Sequence, residues 1–204
     1  MKQWLSMMLV VMMVLVMAPY SSAVSIIFTA DLDGPSEEPA VLSPGTGEAL
    51  VVYDSVAHTL SITTNFQDLI GTTTVAHIHC CTDIPEAGLI GVAVTPGTLP
   101  GFPVGVTSGS YTTVLDLTAA GTYTGGSAGF IARSAGGILE NAEEALIEGL
   151  LDGRAYFNIH STFRPGGEIR GFLHAVPEPG TFGLLAAGIV ALCMAVRRRR
   201  TQLL

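Results

Sequence analysis

Ala155-Tyr156-Phe157-Asn158-Ile159-His160, then the breaker Arg164-Pro165-Gly166-Gly167, then Glu168-Ile169-Arg170-Gly171-Phe172-Leu173, reads as strand, tight turn and strand. Aromatic and β-branched residues favour a pleated, half-buried surface, and Pro-Gly-Gly supplies the turn backbone. Working outward, the same pattern recurs. Ser25–Leu32, Ala49–Tyr53, Thr59–Thr64, Thr74–His79, Leu89–Val94 and Tyr111–Leu117 all read as strands, separated by turn signals such as Asp33-Gly34-Pro35 and Ser43-Pro44-Gly45. A single helix is expected over Ile138–Leu151, where Ile138, Ala142, Ala145, Leu146 and Leu150 recur at helical spacing with Glu140, Glu143, Glu144 and Glu148 opposite. Thr118–Gly137, rich in Gly, Ala and Thr, reads as a long loop. Eight short strands, one helix and no βαβ rhythm predict a mainly all-β domain, an antiparallel β-sandwich or barrel.

The two ends of the chain belong to transport. Lys2, the apolar run Leu5–Ala18 and the small residues Ser21-Ser22-Ala23 have the layout of a secretory signal peptide over 1–23, removed by signal peptidase. Val176-Pro177-Glu178-Pro179-Gly180 precedes an uncharged run, Thr181–Val196, and then Arg197-Arg198-Arg199-Arg200. Sixteen residues at about 1.5 Å each span roughly 24 Å against a hydrocarbon core of about 30 Å, a mismatch that snorkelling arginines and local thinning absorb. The arginine cluster places the C-terminal side in the cytoplasm. The expectation is a β-domain over 24–175 followed by a C-terminal transmembrane helix over 181–196.

Charge narrows the partners. The four basic residues of the domain are Arg133, Arg154, Arg164 and Arg170; sixteen of the seventeen acidic residues face them, a formal charge near −12, and the domain has no lysine. Phosphate binding needs basic surface, so nucleic acid is excluded as a partner. Cys80 and Cys81 are adjacent, and a bond between neighbours is strained. Free thiols, an intermolecular bridge or metal ligation are therefore expected of them. No Gly-x-Ser-x-Gly, phosphate loop or His-Glu-x-x-His occurs, so the domain is expected not to be an enzyme.

Chemistry centres on three histidines. His77 and His79 stand two apart on one strand and leave the same face; His160 ends another strand in phase with Tyr156 and Asn158. Two readings stay open. The rings hydrogen-bond turn and loop carbonyls at the end of the sandwich, or they ligate copper or zinc, which neutral imidazoles suit at about 2 Å. Glu168 and Arg170 are expected to project from one face of the last strand and pair with each other or with the Asp152–Arg154 region. Asp31-Leu32-Asp33-Gly34 with Glu37-Glu38 lacks the spacing of a calcium loop and reads as a strand running into a turn.

Two resemblances follow from these motifs. Val176–Pro179, the apolar run and the arginine block resemble the PEP-CTERM sorting signal of Gram-negative bacteria, which implies recognition by an exosortase that cleaves at or near Pro177-Glu178-Pro179. Phe28-Thr29-Ala30-Asp31-Leu32-Asp33-Gly34, Ala76-His77-Ile78-His79, Ala155–Ser161 and Pro165–Gly171 resemble the CHRD domain, the module named from chordin. Together they imply an exported, non-catalytic binding or structural module. It would pass transiently through the inner membrane to the cell envelope or extracellular matrix, with exopolysaccharide or an extracellular protein as partner. The alternative is an exported copper- or zinc-binding protein, with His77, His79 and His160 as its site and redox or metal-buffering activity.

Overall fold

A computed structural model describes residues 25–177; the signal peptide, Glu178, Pro179, the expected membrane span Thr181–Val196 and Arg197–Arg200 lie outside the described residues. Nine strands form one antiparallel, curled sheet: β1 (Ser25–Asp33), β2 (Thr46–Asp54), β3 (Thr59–Gln67), β4 (Thr73–Cys80), β5 (Val92–Val94), β6 (Gly109–Asp116), β7 (Ala155–Ser161), β8 (Ile169–Phe172) and the two-residue β9 (His174–Ala175). The spatial order is β5-β4-β7-β8-β1-β2-β3-β6, with β9 also paired to β1. β8 meets β1 through Asp33 and Arg170, and β9 continues the same register along β1 with Phe28 opposite Ala175 and Thr29 opposite His174. Two helices, α1 (Phe130–Ser134) and α2 (Ala142–Leu151), complete the domain. No helix among the described residues is long and apolar enough to cross a membrane.

Alternation places the core. On β1, Phe28, Ala30 and Leu32 are buried, and Thr29 and Asp31 between them are exposed. Their inward phase meets Val51 of β2, Leu60 and Ile62 of β3, Ile78 of β4, and Phe157 and Ile159 of β7. Each such side chain contributes about 1.5–3 kcal/mol when removed from water. β7 is buried on both faces, because loops cover the phase that carries Tyr156, Asn158 and His160. That covered outer face is where the histidines lie.

Several elements differ from the sequence expectation, each for a local reason. The fifth strand starts at Val92 rather than Leu89, since the carbonyls of Ile90 and Gly91 are taken by side chains instead of a ladder. Thr118–Gly137 is no plain loop: it holds a 3₁₀ turn at Ala120–Thr122 and α1, anchored by the buried, stacked rings of Tyr123 and Phe130. The expected helix over Ile138–Leu151 opens with a 3₁₀ turn, Leu139–Asn141, and its α-helical part starts at Ala142; Ile138 is half exposed and lies off the core. Leu146 and Leu150 bury the helix, and Tyr53 donates a hydrogen bond to Glu143 at 2.7 Å.

The cysteine expectation is corrected. Cys80 and Cys81 are joined to each other in a disulfide. Both sulfurs pack against Gly149 in the last turn of α2, where a Cβ would collide with them. A glycine inside a helix ordinarily costs about 1 kcal/mol relative to alanine; here the missing side chain makes room for the sulfurs.

The pairing expected of Glu168 and Arg170 is also corrected. Neither is exposed, and they do not pair with each other or with Arg154, which meets Asp152 at 3.0 Å. Glu168 is fully buried and accepts hydrogen bonds from the Ser43 hydroxyl (2.7 Å), the Ile70 amide (2.6 Å), the Gly71 amide (3.2 Å) and the Ser161 hydroxyl. Burial pushes its carboxyl upward, but these donors outweigh it and hold the group below the ordinary carboxylate range. One side chain thus ties two loops to the β7–β8 hairpin. As expected, Asp33 ends β1 in a turn, accepting the Ser36 amide at 2.7 Å.

Two outcomes test this packing. Gly149→Ala should lower the melting temperature by about 2–10 °C, the scale of about 1–3 kcal/mol of overpacking; an unchanged or higher value would contradict the disulfide contact. Glu168→Gln turns one acceptor into a donor facing donors, and should cost at least about 2 kcal/mol, read as a lower urea midpoint at unchanged slope.

Candidate metal centre

Register assembles the site. His77 stands opposite Asn158, His79 opposite Tyr156 and Val75 opposite His160 across the β4–β7 pair. The three histidines share the outer face of this pair and are 6–8% exposed. The structure brings together the three residues singled out in the sequence, with one nitrogen of each lying within 4.8 Å of the others.

Backbone carbonyls fix the state of every ring. A carbonyl only accepts, so the nitrogen facing it must carry the proton. His77 donates Nε2–H to Gly97 O at 2.6 Å, His79 donates Nδ1–H to Ile90 O at 2.7 Å, and His160 donates Nδ1–H to Pro165 O at 2.8 Å. A neutral imidazole has one N–H, which leaves a lone pair on His77 Nδ1, His79 Nε2 and His160 Nε2. His77 Nδ1 and His160 Nε2 face each other at 3.3 Å. His79 Nε2 is buried and has no hydrogen-bond partner.

With one nitrogen of each ring within 4.8 Å of the others, the cluster would suit a positive centre. An extra proton is one candidate, and burial works against it. Desolvation pulls all three rings below the usual histidine value; the His77–His160 proximity lowers His77 further, and for His79 the other two rings and Arg133 add to burial and bring it to about 4. A metal ion is the other candidate. Tetrahedral bonds of about 2.0–2.1 Å set ligand nitrogens roughly 3.3 Å apart, the separation already present between His77 and His160.

Several supporting residues carried no sequence signal of their role. Tyr156 stacks flat on His79, centroids 4.7 Å apart, and its hydroxyl donates to the Ile90 carbonyl at 3.2 Å. Arg133 donates from Nη2 to the carbonyls of Cys80 (2.7 Å), Gly91 (2.6 Å) and Val92 (3.1 Å), fastening the loop that holds His79. Gly97 has φ +85°, a left-handed conformation that glycine adopts without penalty, in the loop that gives His77 its acceptor. The phase of Tyr156 with His160 was legible; the carbonyls and Arg133 depend on loop paths that no local pattern encodes. Arg170 is buried rather than open to a ligand, with Nε 2.5 Å from Ser36 O and Nη1 3.0 Å from Gly88 O. Of the sorting motif, Val176 donates its amide to Ile27 O at 2.7 Å and Pro177 ends the described residues.

Comparison with known proteins agrees with both resemblances. The CHRD domain matches residues 28–173, and the PEP-CTERM protein-sorting motif matches residues 175–200. The second match carries with it export and processing by an exosortase. No curated protein and no solved structure matches the chain. With its sheet, its histidine strands and its closing hairpin all inside the matched span, the chain belongs to the CHRD domain family and is an exported member addressed to an exosortase.

Proposed function

We propose that the domain is an extracellular transition-metal-binding module that holds one copper or zinc ion on His77 Nδ1, His79 Nε2 and His160 Nε2. The observation that carries this reading is the convergence of three imidazole lone pairs, each fixed by a carbonyl on the opposite nitrogen. Outer-sphere hydrogen bonds of that kind accompany most metal-bound histidines. A purely structural role explains one nitrogen of each ring and leaves the other, including the orphaned His79 Nε2, without a purpose. Imidazole donors suit both copper and zinc, and three protein ligands leave a fourth position for water or a small molecule. The module acts by retaining the ion, not by turning over a substrate. Metal buffering in the envelope fits the nearly enclosed rings.

The tail sets where this happens. Val176, the first residue of the sorting motif, donates its amide to Ile27 O on the first strand. Thr181–Val196 would hold the precursor in the inner membrane until cleavage near Pro177–Pro179. The domain then passes to the envelope or extracellular matrix, beside exopolysaccharide or an extracellular protein.

Elemental mass spectrometry of the purified protein should find about one equivalent of copper or zinc after loading. His79→Ala should weaken binding by more than the about 10–100-fold typical of losing an outer-sphere partner; a folded wild-type protein that takes up neither metal would overturn the reading. Deleting Val176–Leu204 should leave the domain in the soluble periplasmic fraction. Correct surface display of that truncated protein would contradict the role given to the tail.

A further inference from the structure

Among the described residues two carboxylates are buried, Glu168 and Glu37, and their surroundings are opposite. Glu168 accepts four hydrogen bonds. Glu37 Oε1 has none, and neither has Asn158 Oδ1, which is buried close by. The two groups share one wall: a Cβ built on Gly167 would lie 2.5 Å from Glu37 Oε1 and 2.7 Å from both polar atoms of the Asn158 amide. Asn158 also hydrogen-bonds the Glu37 carboxyl. The Asn158 amide can donate only from Nδ2, and neither Glu37 Oε1 nor Asn158 Oδ1 has a partner.

Arg170 does not repair the gap. Its Nε is 4.0 Å from Glu37 Oε2, outside hydrogen-bond range, and donates to Ser36 O. Its Nη1 donates to Gly88 O, its Nη2 lies 3.5 Å from Glu38 Oε2, and its guanidinium sits 4.8 Å over the Tyr156 ring. Two orphaned acceptors, side by side and buried, each cost free energy while both lack a donor. One proton removes both penalties. Placed on Glu37 Oε1, it donates to Asn158 Oδ1 and closes a ring of two hydrogen bonds between acid and amide.

We propose that Glu37 is a neutral carboxylic acid in the folded protein, paired with Asn158 through two hydrogen bonds, and that this proton locks the Pro165–Gly167 turn and thereby governs how firmly His160 holds metal. The second half rests on the metal reading above. The route is short. Glu37 and Asn158 pack on Gly167, and two residues earlier Pro165 offers the carbonyl that orients His160. Asn158 is also the cross-strand partner of His77. The charged or titratable groups facing Glu37 are Arg170 from β8, Glu38 from its own loop and Tyr156 from β7. Burial, the largest influence, outweighs Arg170 and the hydrogen bonds and raises the carboxyl to about 7. The stabilising effect of the proton is therefore complete below the ordinary glutamate value and is lost as pH rises through about 7.

The test compares the purified, metal-free protein with Glu37→Gln, whose amide reproduces the neutral acid's donor and acceptor. Infrared spectra should contain the carbonyl stretch of an un-ionised carboxyl at about pH 6, fading toward about pH 9 and missing from Glu37→Gln. Melting temperatures of the two should coincide at about pH 5, with Glu37→Gln the more stable at about pH 9. No such band, with Glu37→Gln less stable at every pH, would overturn the proposal in favour of an ionised Glu37. Zinc titration separates the two claims. The ratio of wild-type to Glu37→Gln dissociation constants should rise about 5-fold or more between about pH 6 and about pH 9, a ratio in which histidine protonation cancels. A flat ratio would remove the link to His160. If neither protein takes zinc, and copper titration finds no binding either, the metal reading fails and the link with it, while the carboxyl band still decides the state of Glu37.

Discussion

Each of three buried imidazoles commits its N–H to a backbone carbonyl, and those carbonyls belong to three different loops. The rings therefore have no freedom over which nitrogen carries the proton, and one nitrogen of each lies within 4.8 Å of the others. In water such a cluster would relax by protonation or by turning outward. Here the loops block rotation and burial disfavours charge. We read the site as one prepared for a cation that is not a proton.

The rest of the fold serves those loops. Arg133, from a short helix in the long β6–β7 connection, clamps Gly91 and Val92 and keeps Ile90 O on His79. Glu168 gathers the Ser43 and Ile70–Gly71 loops onto the hairpin that carries His160. The Cys80–Cys81 bond fills the notch at Gly149 and seats α2 beneath the end of β4, one residue from His79. The two buried glutamates divide the labour. Glu168 is charged because four donors meet it, and Glu37 is neutral because none reaches its outer oxygen; opposed environments of this sort set opposite protonation states at the same pH.

Much of this was legible in the sequence, in a particular way. Period-two alternation marked β1 and β3, because burial on one face is written directly into residue choice there. The histidine trio was legible for the same reason: His77 and His79 share a phase, and His160 shares one with Tyr156 and Asn158. What local pattern could not encode was the fate of polar groups over long distances. Glu168 and Arg170 looked like an exposed pair because charged residues usually are, yet their partners lie up to 134 positions away. Leu89–Gly91 looked like strand because apolar alternation does not say which side chains will claim a carbonyl. Cys80 and Cys81 were expected apart because the notch made by Gly149, 68 and 69 positions on, has no signature near them.

The measurement closest to the central claim needs no metal. Long-range proton–nitrogen NMR of the metal-free protein at neutral pH reads the tautomer of each histidine. The account predicts three neutral rings, His77 protonated on Nε2 and His79 and His160 on Nδ1, with the three bare nitrogens shifting together when zinc is added. A ring protonated on both nitrogens, or a His77–His160 pair sharing a proton that zinc does not displace, would contradict it.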